Sequence, residues 1–420
     1  MTTLRDITAA DDYDPHSMPV EQARRHIRSY LTPLTSIEQL PIRSALGRIL
    51  AADVASSINV PGHDNSAMDG YAVRHADLLP DADVTLSLAG TSYAGKPYPG
   101  AVTPGQAVRI FTGAVIPTGC DTVVMQERAS VVDGKVKLGA GVKPGQNTRK
   151  AGEDIKAGAG VLRRGQPLHP AEIGLLASLN IGEVRVYRRL RVAFFSTGDE
   201  LVSIGGTLGP GQIYDSNRYT MHGMLTRLGC EVLDMGVIRD TPEAVEAAFV
   251  EAAAAADVVM TSGGVSVGDA DYVKQMLDRL GDVLFWKIAM KPGRPLAYGK
   301  IGNAHFFGLP GNPVAVMVTF YQFVREALLT LAGQAEVRTV PTFKARLTSP
   351  IRKAPGRTEF QRGILSPGAD GQWQVRMTGD QGSGILSSMS QANCFVVLPV
   401  SQGNTDPGEI VDVQPFDALI

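Results

Sequence analysis

Residues 257–272 read DVVMTSGGVSVGDADY. An apolar, β-branched run ends at Ser262, Gly263 and Gly264, passes Gly268 and Asp269, and enters helix-like sequence near Asp271. A buried strand turning into a helix is the unit of which parallel sheets are built. Glycines at such a turn let backbone NH groups approach a phosphate, and the helix N-terminus adds partial positive charge. The same pattern also serves a plain strand-to-helix turn. Asp269 and Asp271 read either as helix caps or as oxygen ligands for a metal.

The alternation continues on both sides. Strand-like RVAFFS (191–196), EVLDMGVI (231–238), LFWKIAM (284–290) and HFFGL (305–309) interleave with helical patterns near 217–228, 242–255, 271–280 and 313–331. This predicts a central doubly wound α/β domain over 191–335, with a largely parallel sheet and its ligand-bearing loops at the strands' carboxyl edge. Residues 46–142 change to short β runs broken by Gly and Pro, with Asp133-Gly134 as a hairpin signal, and predict a mostly β module. PVEQARRHIRSYL (19–31) places Val20, Ala23, Ile27 and Leu31 on one helical face. The glycine-rich segment 143–190 is expected to pack on that helix, so that 15–45 and 143–190 form a discontinuous helical and linker domain. Strand signals over 340–420 predict a C-terminal β-barrel. The expected fold class is therefore multidomain α/β plus β.

The 420 residues carry 40 Lys plus Arg against 42 Asp plus Glu, a formal charge of −2. Neither nucleic acid nor a membrane surface is an expected partner, and any anion site must be local. Cys120, Cys230 and Cys394 lie far apart without a CxxC pair, which points to isolated thiols rather than a disulfide framework or zinc knuckle. The N-terminal MTTLRDITAADDYD is acidic where a signal peptide needs positive charge, and no apolar run is read as reaching the roughly 18 residues of a membrane helix. A cytoplasmic protein is expected.

Other strand ends carry chemistry too. STGDEL (196–201) sets Asp199 and Glu200 at the sheet's carboxyl edge, where they are ligand groups or, for Ser196, Thr197 and Asp199, a cap and, for Glu200, a solvated loop carboxylate. Asp240 in RDTPEAV is either a site carboxylate or part of a helix start with Thr241 and Pro242. FWKIAMKPGRP holds Lys287, Lys291 and Arg294. On one continuing strand Lys287 and Lys291 would share a face and meet one polyanion, with Arg294 adding a planar fork; the alternative is a solvated basic edge. Pro310, Gly311 and Asn312 precede another helix at Pro313 and suit a cap or a ligand contact. PGHDNSAMDGYAVR (61–74) presents Asp64, Asn65, Ser66 and Asp69 as a second half of the site or as an Asx turn, and Thr112 follows in RIFTGAVIP. RTEFQRG (357–363) and GDQGSGILSSM (379–389) offer further cations and hydroxyls. No GxSxG, Walker A or HExxH motif is present.

Together DNSAMDGYAVR, RIFTGAVIPTGCDTVVMQE, RKAGEDI, STGDEL, GQIYDSN, GVIRDTPEAV, TSGGVSVGDADY, FWKIAMKPGRPLAYG and GLPGNPVAVM closely resemble the bacterial molybdopterin molybdenumtransferase family, from the first helix to the C-terminal barrel. The resemblance implies an enzyme that takes adenylyl-molybdopterin and molybdate, and releases AMP and molybdenum cofactor with Mg²⁺. It also implies a homodimer whose clefts pair the α/β domain of one chain with the β module of the other, with molybdopterin adenylyltransferase and molybdoenzyme apoproteins as candidate partners. By motif the family's functional positions fall on Asp64, Thr112, Glu200, Asp240, Asp271, Lys287 and Lys291. Glu200, Asp240 and Asp271 are the implied metal carboxylates. Ser262, Gly263, Gly264, Gly268, Asp269, Arg294, Pro310, Gly311, Asn312 and Ser383 are the implied substrate contacts. The family's usual KPGKP is KPGRP here, so Arg294 replaces a point donor with a fork. A molybdopterin adenylyltransferase would resemble the α/β domain alone, and the flanking β modules argue against it. So do they against a nicotinamide-nucleotide enzyme with a related domain. A noncatalytic scaffold would not need the full set of carboxylates and lysines.

Overall fold

The computed structural model describes residues 16–263 and 271–416, with the side chains of 271–275 outside that description. Its centre is a six-stranded sheet in the order Glu231–Ile238, Arg191–Thr197, Val258–Ser262, Ala304–Leu309, Pro295–Ile301, Gly281–Lys287. The first four strands run parallel, Pro295–Ile301 runs antiparallel to them, and Gly281–Lys287 pairs antiparallel with it. Val192–Thr197, Val258–Ser262 and Ala304–Leu309 are buried throughout, as strands covered on both faces must be. Ser216–Arg227 and the helical stretch from Pro313 cover one face with Met221, Leu225, Val314 and Val318. Pro242–Ala255 and Asp271–Leu280 cover the other with Val245, Phe249, Met276 and Leu277. Strand Pro295–Ile301 was not anticipated, and strand 284–290 ends at Lys287.

The apolar residues of segment 143–190 from Leu162 to Val186 pack elsewhere than expected, and helix Val20–Tyr30 buries Val20, Ala23 and Ile27 in the α/β core, which takes only Leu190 from the end of that segment; this corrects the expected packing. Arg24 Nε donates to the Gln322 carbonyl at 3.0 Å and Arg28 Nε to Glu326 at 2.8 Å, fixing it there. Segment 143–190 instead pairs Glu183–Tyr187 with Ile37–Pro41 and shares a core of Leu50, Leu162, Leu168, Leu176 and Val184. A second six-stranded sheet comprises Thr122–Met125, Gly70–Val73, Gln106–Ile110, Val84–Ser92, Lys135–Leu138 and Ala129–Val132. Asp133 and Gly134, at φ 47° and 71°, make its last turn.

The C-terminal region closes as a five-stranded barrel, Thr358–Pro367, Trp373–Met377, Phe343–Leu347, Ile410–Pro415 and Cys394–Leu398, the last pairing back to the first. Met290–Lys291 adds a short sixth strand alongside Thr358–Pro367. Pro313–Leu331 is 19 residues with a mean hydropathy of 1.4, long and apolar enough to cross a membrane, contrary to the sequence reading. It is 67% buried inside the protein, as a core helix is, and includes a π-helical turn at Phe320–Val324.

Candidate active site

A cavity of about 820 Å³ opens where the parallel strands end and the barrel begins. Topology puts it there: strands Arg191–Thr197, Val258–Ser262 and Ala304–Leu309 all finish at this edge, the place where open α/β sheets bind ligands. Thr197, Glu200, Ser262, Gly263, Pro310, Gly311 and Asn312 come from their ends. Lys291 and Arg294 form a second wall, and Arg357, Gln381 and Ser383 bring the barrel to a third. Among the described residues two carboxylates, Glu200 and Asp215, thus share one cavity with three cations.

Gly263 sits at φ +89°, and a Cβ there would lie 2.8 Å from the Thr197 carbonyl oxygen, so the turn requires glycine on both counts. Glu200 folds back over Gly198, where a Cβ would lie 2.4 Å from its Oε2. Asp215 caps helix Ser216–Arg227 by accepting the Arg218 NH at 3.2 Å, and its other oxygen is buried without a partner. Asn217 Nδ2 donates to the Gly311 carbonyl at 2.7 Å, tying that helix to the last strand end. Lys291 Nζ lies 3.7 Å from Glu359, which is buried and accepts from Gln361 at 2.8 Å.

The barrel wall hangs on Arg362, which is 0% exposed. Its guanidinium donates to Ser388 Oγ at 3.0 Å and to the carbonyls of Gln381 at 3.1 Å, Gly382 at 2.9 Å and Asp380 at 3.4 Å. Burial lowers its pKa to about 10, which leaves it charged at neutral pH. One buried cation, with no carboxylate partner among the described residues, therefore shapes the 380–388 segment through backbone acceptors and the Ser388 hydroxyl.

Several anticipated residues lie elsewhere. Lys287 ends strand Gly281–Lys287 outside the cavity wall, while Lys291 belongs to a different sheet. The chain breaks strand geometry between them, where Ile288 NH bonds the Arg294 carbonyl at 2.6 Å, so no common strand face exists. Asp240 is exposed beyond strand Glu231–Ile238 and does not line the cavity with Glu200. Among the described residues no three acidic, His or Cys side chains cluster as a metal site. Gly264, Gly268 and Asp269 lie outside the described residues. Asp271 opens helix Asp271–Leu280, and its side chain is outside the description.

Asp64 and Thr112 sit in the N-terminal β region, away from this cavity. Asp64 is paired with Lys150 at 2.7 Å and accepts the Ala151 NH at 2.9 Å, and these bonds hold its pKa below the usual carboxylate value. Thr112 donates NH and Oγ1 to Asp69, each at 2.7 Å, lowering that carboxyl likewise. Sequence reasoning missed Asp215, Asn217 and Gln381 as cavity residues; DSN before a helix signals only a cap. Cys120, Cys230 and Cys394 are free, and burial pushes each thiol up to about 12, so none is a thiolate nucleophile.

Three domain families match the chain: the MoeA N-terminal region (domain I and II) over 18–180, a probable molybdopterin binding domain over 193–330, and the MoeA C-terminal region (domain IV) over 344–416. The molybdopterin molybdenumtransferase of Haemophilus influenzae is 48% identical over 404 residues, 96% of this chain and 100% of that protein. That of a Nostoc species is 39% identical over 382 residues, 89% and 87% of the two chains. A molybdopterin biosynthesis MoeA protein from Pyrococcus horikosii superposes with a TM-score of 0.77 at 34% identity, covering 95% of this chain and 99% of that one. With all three regions matched in order and relatives aligned along nearly its whole length, the chain belongs to the molybdopterin molybdenumtransferase family.

Proposed function

We propose that this protein inserts molybdenum from molybdate into molybdopterin, consuming the adenylylated form with Mg²⁺-dependent release of AMP. Relatives named molybdopterin molybdenumtransferase support the transfer itself. The single observation that supports the finer reading is that Glu200 shares one cavity with Lys291, Arg294 and Arg357. A pyrophosphate-linked substrate and a tetrahedral oxyanion crowd negative charge into a small volume. Lys291 is a point charge and Arg294 and Arg357 are planar forks, a set that suits phosphate and oxyanion together. Gly263 allows backbone approach beside them.

Glu200 offers hard oxygen donors at the cavity, which suits Mg²⁺, an ion bound through one or two carboxylates together with substrate phosphates and water. In this reading Asp240, which stands outside the cavity, is not a ligand in this arrangement, and Glu200, with Asp271, holds the ion. Its chemistry would be to neutralise developing phosphate charge. Ser383 and the strand-end residues orient substrate. The reading divides the chain into four parts and makes the protein a cytoplasmic homodimer, in which Asp64 and Thr112 complete the partner's cleft. Adenylyltransferase and molybdoenzyme apoproteins would stand before and after it.

The test supplies purified protein with adenylylated molybdopterin, Mg²⁺ and varied molybdate, following AMP release and reconstitution of a molybdenum-dependent apoenzyme. Molybdate-dependent release that falls sharply in Glu200→Gln and Lys291→Ala is expected. Tight binding without release, where an active relative turns over, would replace the transferase reading with a scaffold.

A further inference from the structure

On another face of the protein two adjoining cavities, of about 680 and about 300 Å³, lie between the loop 163–169 and the end of helix Arg325–Leu331. They share Arg325 and His169 as walls, and none of their residues lines the reaction cavity. Arg163, Arg164, Arg325 and Arg338 face the larger one against Glu172 and Glu336; among the described residues the smaller is lined by five arginines and no carboxylate. A chain of net charge −2 does not concentrate cations in this way by composition.

Part of that charge is spent internally. Arg48 pairs with Glu38 at 2.7 Å, Arg188 with Asp257 at 2.6 Å, and Arg164 donates to the Tyr187 hydroxyl at 2.6 Å. Arg163, Arg325 and Arg338 carry no ion pair among the described residues. Arg325 is half-buried, its Nε has no acceptor, and its neighbour Glu326 is taken by Arg28. Burial lowers the Arg325 pKa, yet a guanidinium stays charged near neutrality. A desolvated cation without a counter-charge is unfavourable until an anion is supplied. The walls are preformed: Ala335 NH bonds the Gly165 carbonyl at 3.0 Å, and a Cβ on Gly165, at φ +82°, would lie 2.5 Å from Ala335 Cβ.

We propose that this groove is a second anion site, which takes a small phosphate-bearing molecule on the unpaired forks of Arg163, Arg325 and Arg338. Its volume is that of a small-molecule pocket and not of a docking face. Arginine forks match phosphate oxygens two at a time. Inorganic pyrophosphate is the probe, titrated calorimetrically into the full chain at fixed ionic strength. Two sites per chain are expected, one lost in Lys291→Ala and the other in the Arg163→Ala/Arg338→Ala pair. Both of those arginines are exposed, so the fold should survive, with unchanged circular dichroism. Affinity at the second site should fall about tenfold or more. A single site that Lys291→Ala removes and the pair leaves untouched overturns the proposal. So does equal weakening by Arg43→Ala/Arg352→Ala, which would make the effect general surface charge.

Discussion

Replacing Arg362 with Met keeps much of the side chain's length and removes its charge. Three of its hydrogen bonds, to Ser388 Oγ, the Gln381 carbonyl and the Gly382 carbonyl, are 3.1 Å or shorter. Bonds to charged groups contribute about 1.5–3 kcal/mol each, a gross loss of roughly 4–9 kcal/mol. Removing a buried cation with no carboxylate partner returns several kcal/mol of desolvation. The difference is a net destabilisation of about 2–4 kcal/mol, concentrated in the segment 380–388. Because Gln381, Gly382, Ser383 and Gly384 line the cavity, the variant should also bind molybdate and nucleotide less tightly, while the remote N-terminal sheet is unaffected. Hydrogen exchange is the assay of choice, since a chain of several domains does not unfold as one unit. Protection should fall in 380–388 and the barrel and stay level in residues 70–138. Arg362→Lys should not rescue it, because one ammonium cannot reach four acceptors in a planar fork. Unchanged protection in 380–388, with stability within about 0.5 kcal/mol of the parent, would mean that the guanidinium does not organise this wall.

Three further outcomes follow from the same geometry. Gly263→Ala must adopt φ +89° and meet the Thr197 carbonyl at 2.8 Å. The backbone alone costs about 1–2 kcal/mol, and turnover should drop with little change in the barrel's own melting. His305 is buried beside Tyr298 and near Lys300, and burial lowers its pKa to about 3. Below the unfolded-state value near 6.5 the unfolded chain takes up a proton that the folded chain refuses, so stability is lost as pH falls from 6.5 toward 3. His305→Asn should therefore lower stability at pH 7 yet flatten the fall in urea midpoint between pH 7 and 4.5; an unaltered slope would assign the acid lability to other groups. Lys291→Ala should weaken binding of AMP and molybdate far more than Lys287→Ala, because only Lys291 lines the cavity. Comparable losses in equilibrium binding would mean that Lys287 reaches the ligand after all.

The three inner parallel strands were legible because burial on both faces leaves unbroken apolar runs such as RVAFFS and DVVMTS, while the half-buried edge strand Glu231–Ile238 was read from its place in the strand–helix alternation. Strand Pro295–Ile301 was not, since it begins at a proline and contains Gly299. That glycine marks close backbone approach and no turn: a Cβ there would lie 2.0 Å from the Asp282 carbonyl oxygen. For helix Val20–Tyr30, periodicity identified the buried face but carried nothing about which core receives it. Pairing Lys287 with Lys291 assumed one continuous strand, and the period-two argument fails where the chain crosses from one sheet to another. Lys291 was singled out by the same period-two argument, whereas Glu200 was readable from its strand-end position and Arg294 from the turn after a strand. The buried cap Asp215 was not, because its pattern is that of any helix start.

Met290–Lys291 pairs with the barrel strand Thr358–Pro367, and Thr358 NH bonds the Ala289 carbonyl at 3.0 Å. The lysine that faces the cavity is thus mounted on the barrel's backbone while its neighbours on either side belong to the α/β sheet. Any rotation of the barrel acts as a lever on Lys291, carrying its charge with it relative to Glu200. Removing the barrel would strip Lys291 of its backbone support and take Arg357 and Ser383 with it, so an isolated α/β unit would keep the floor of the site and lose its cationic arm.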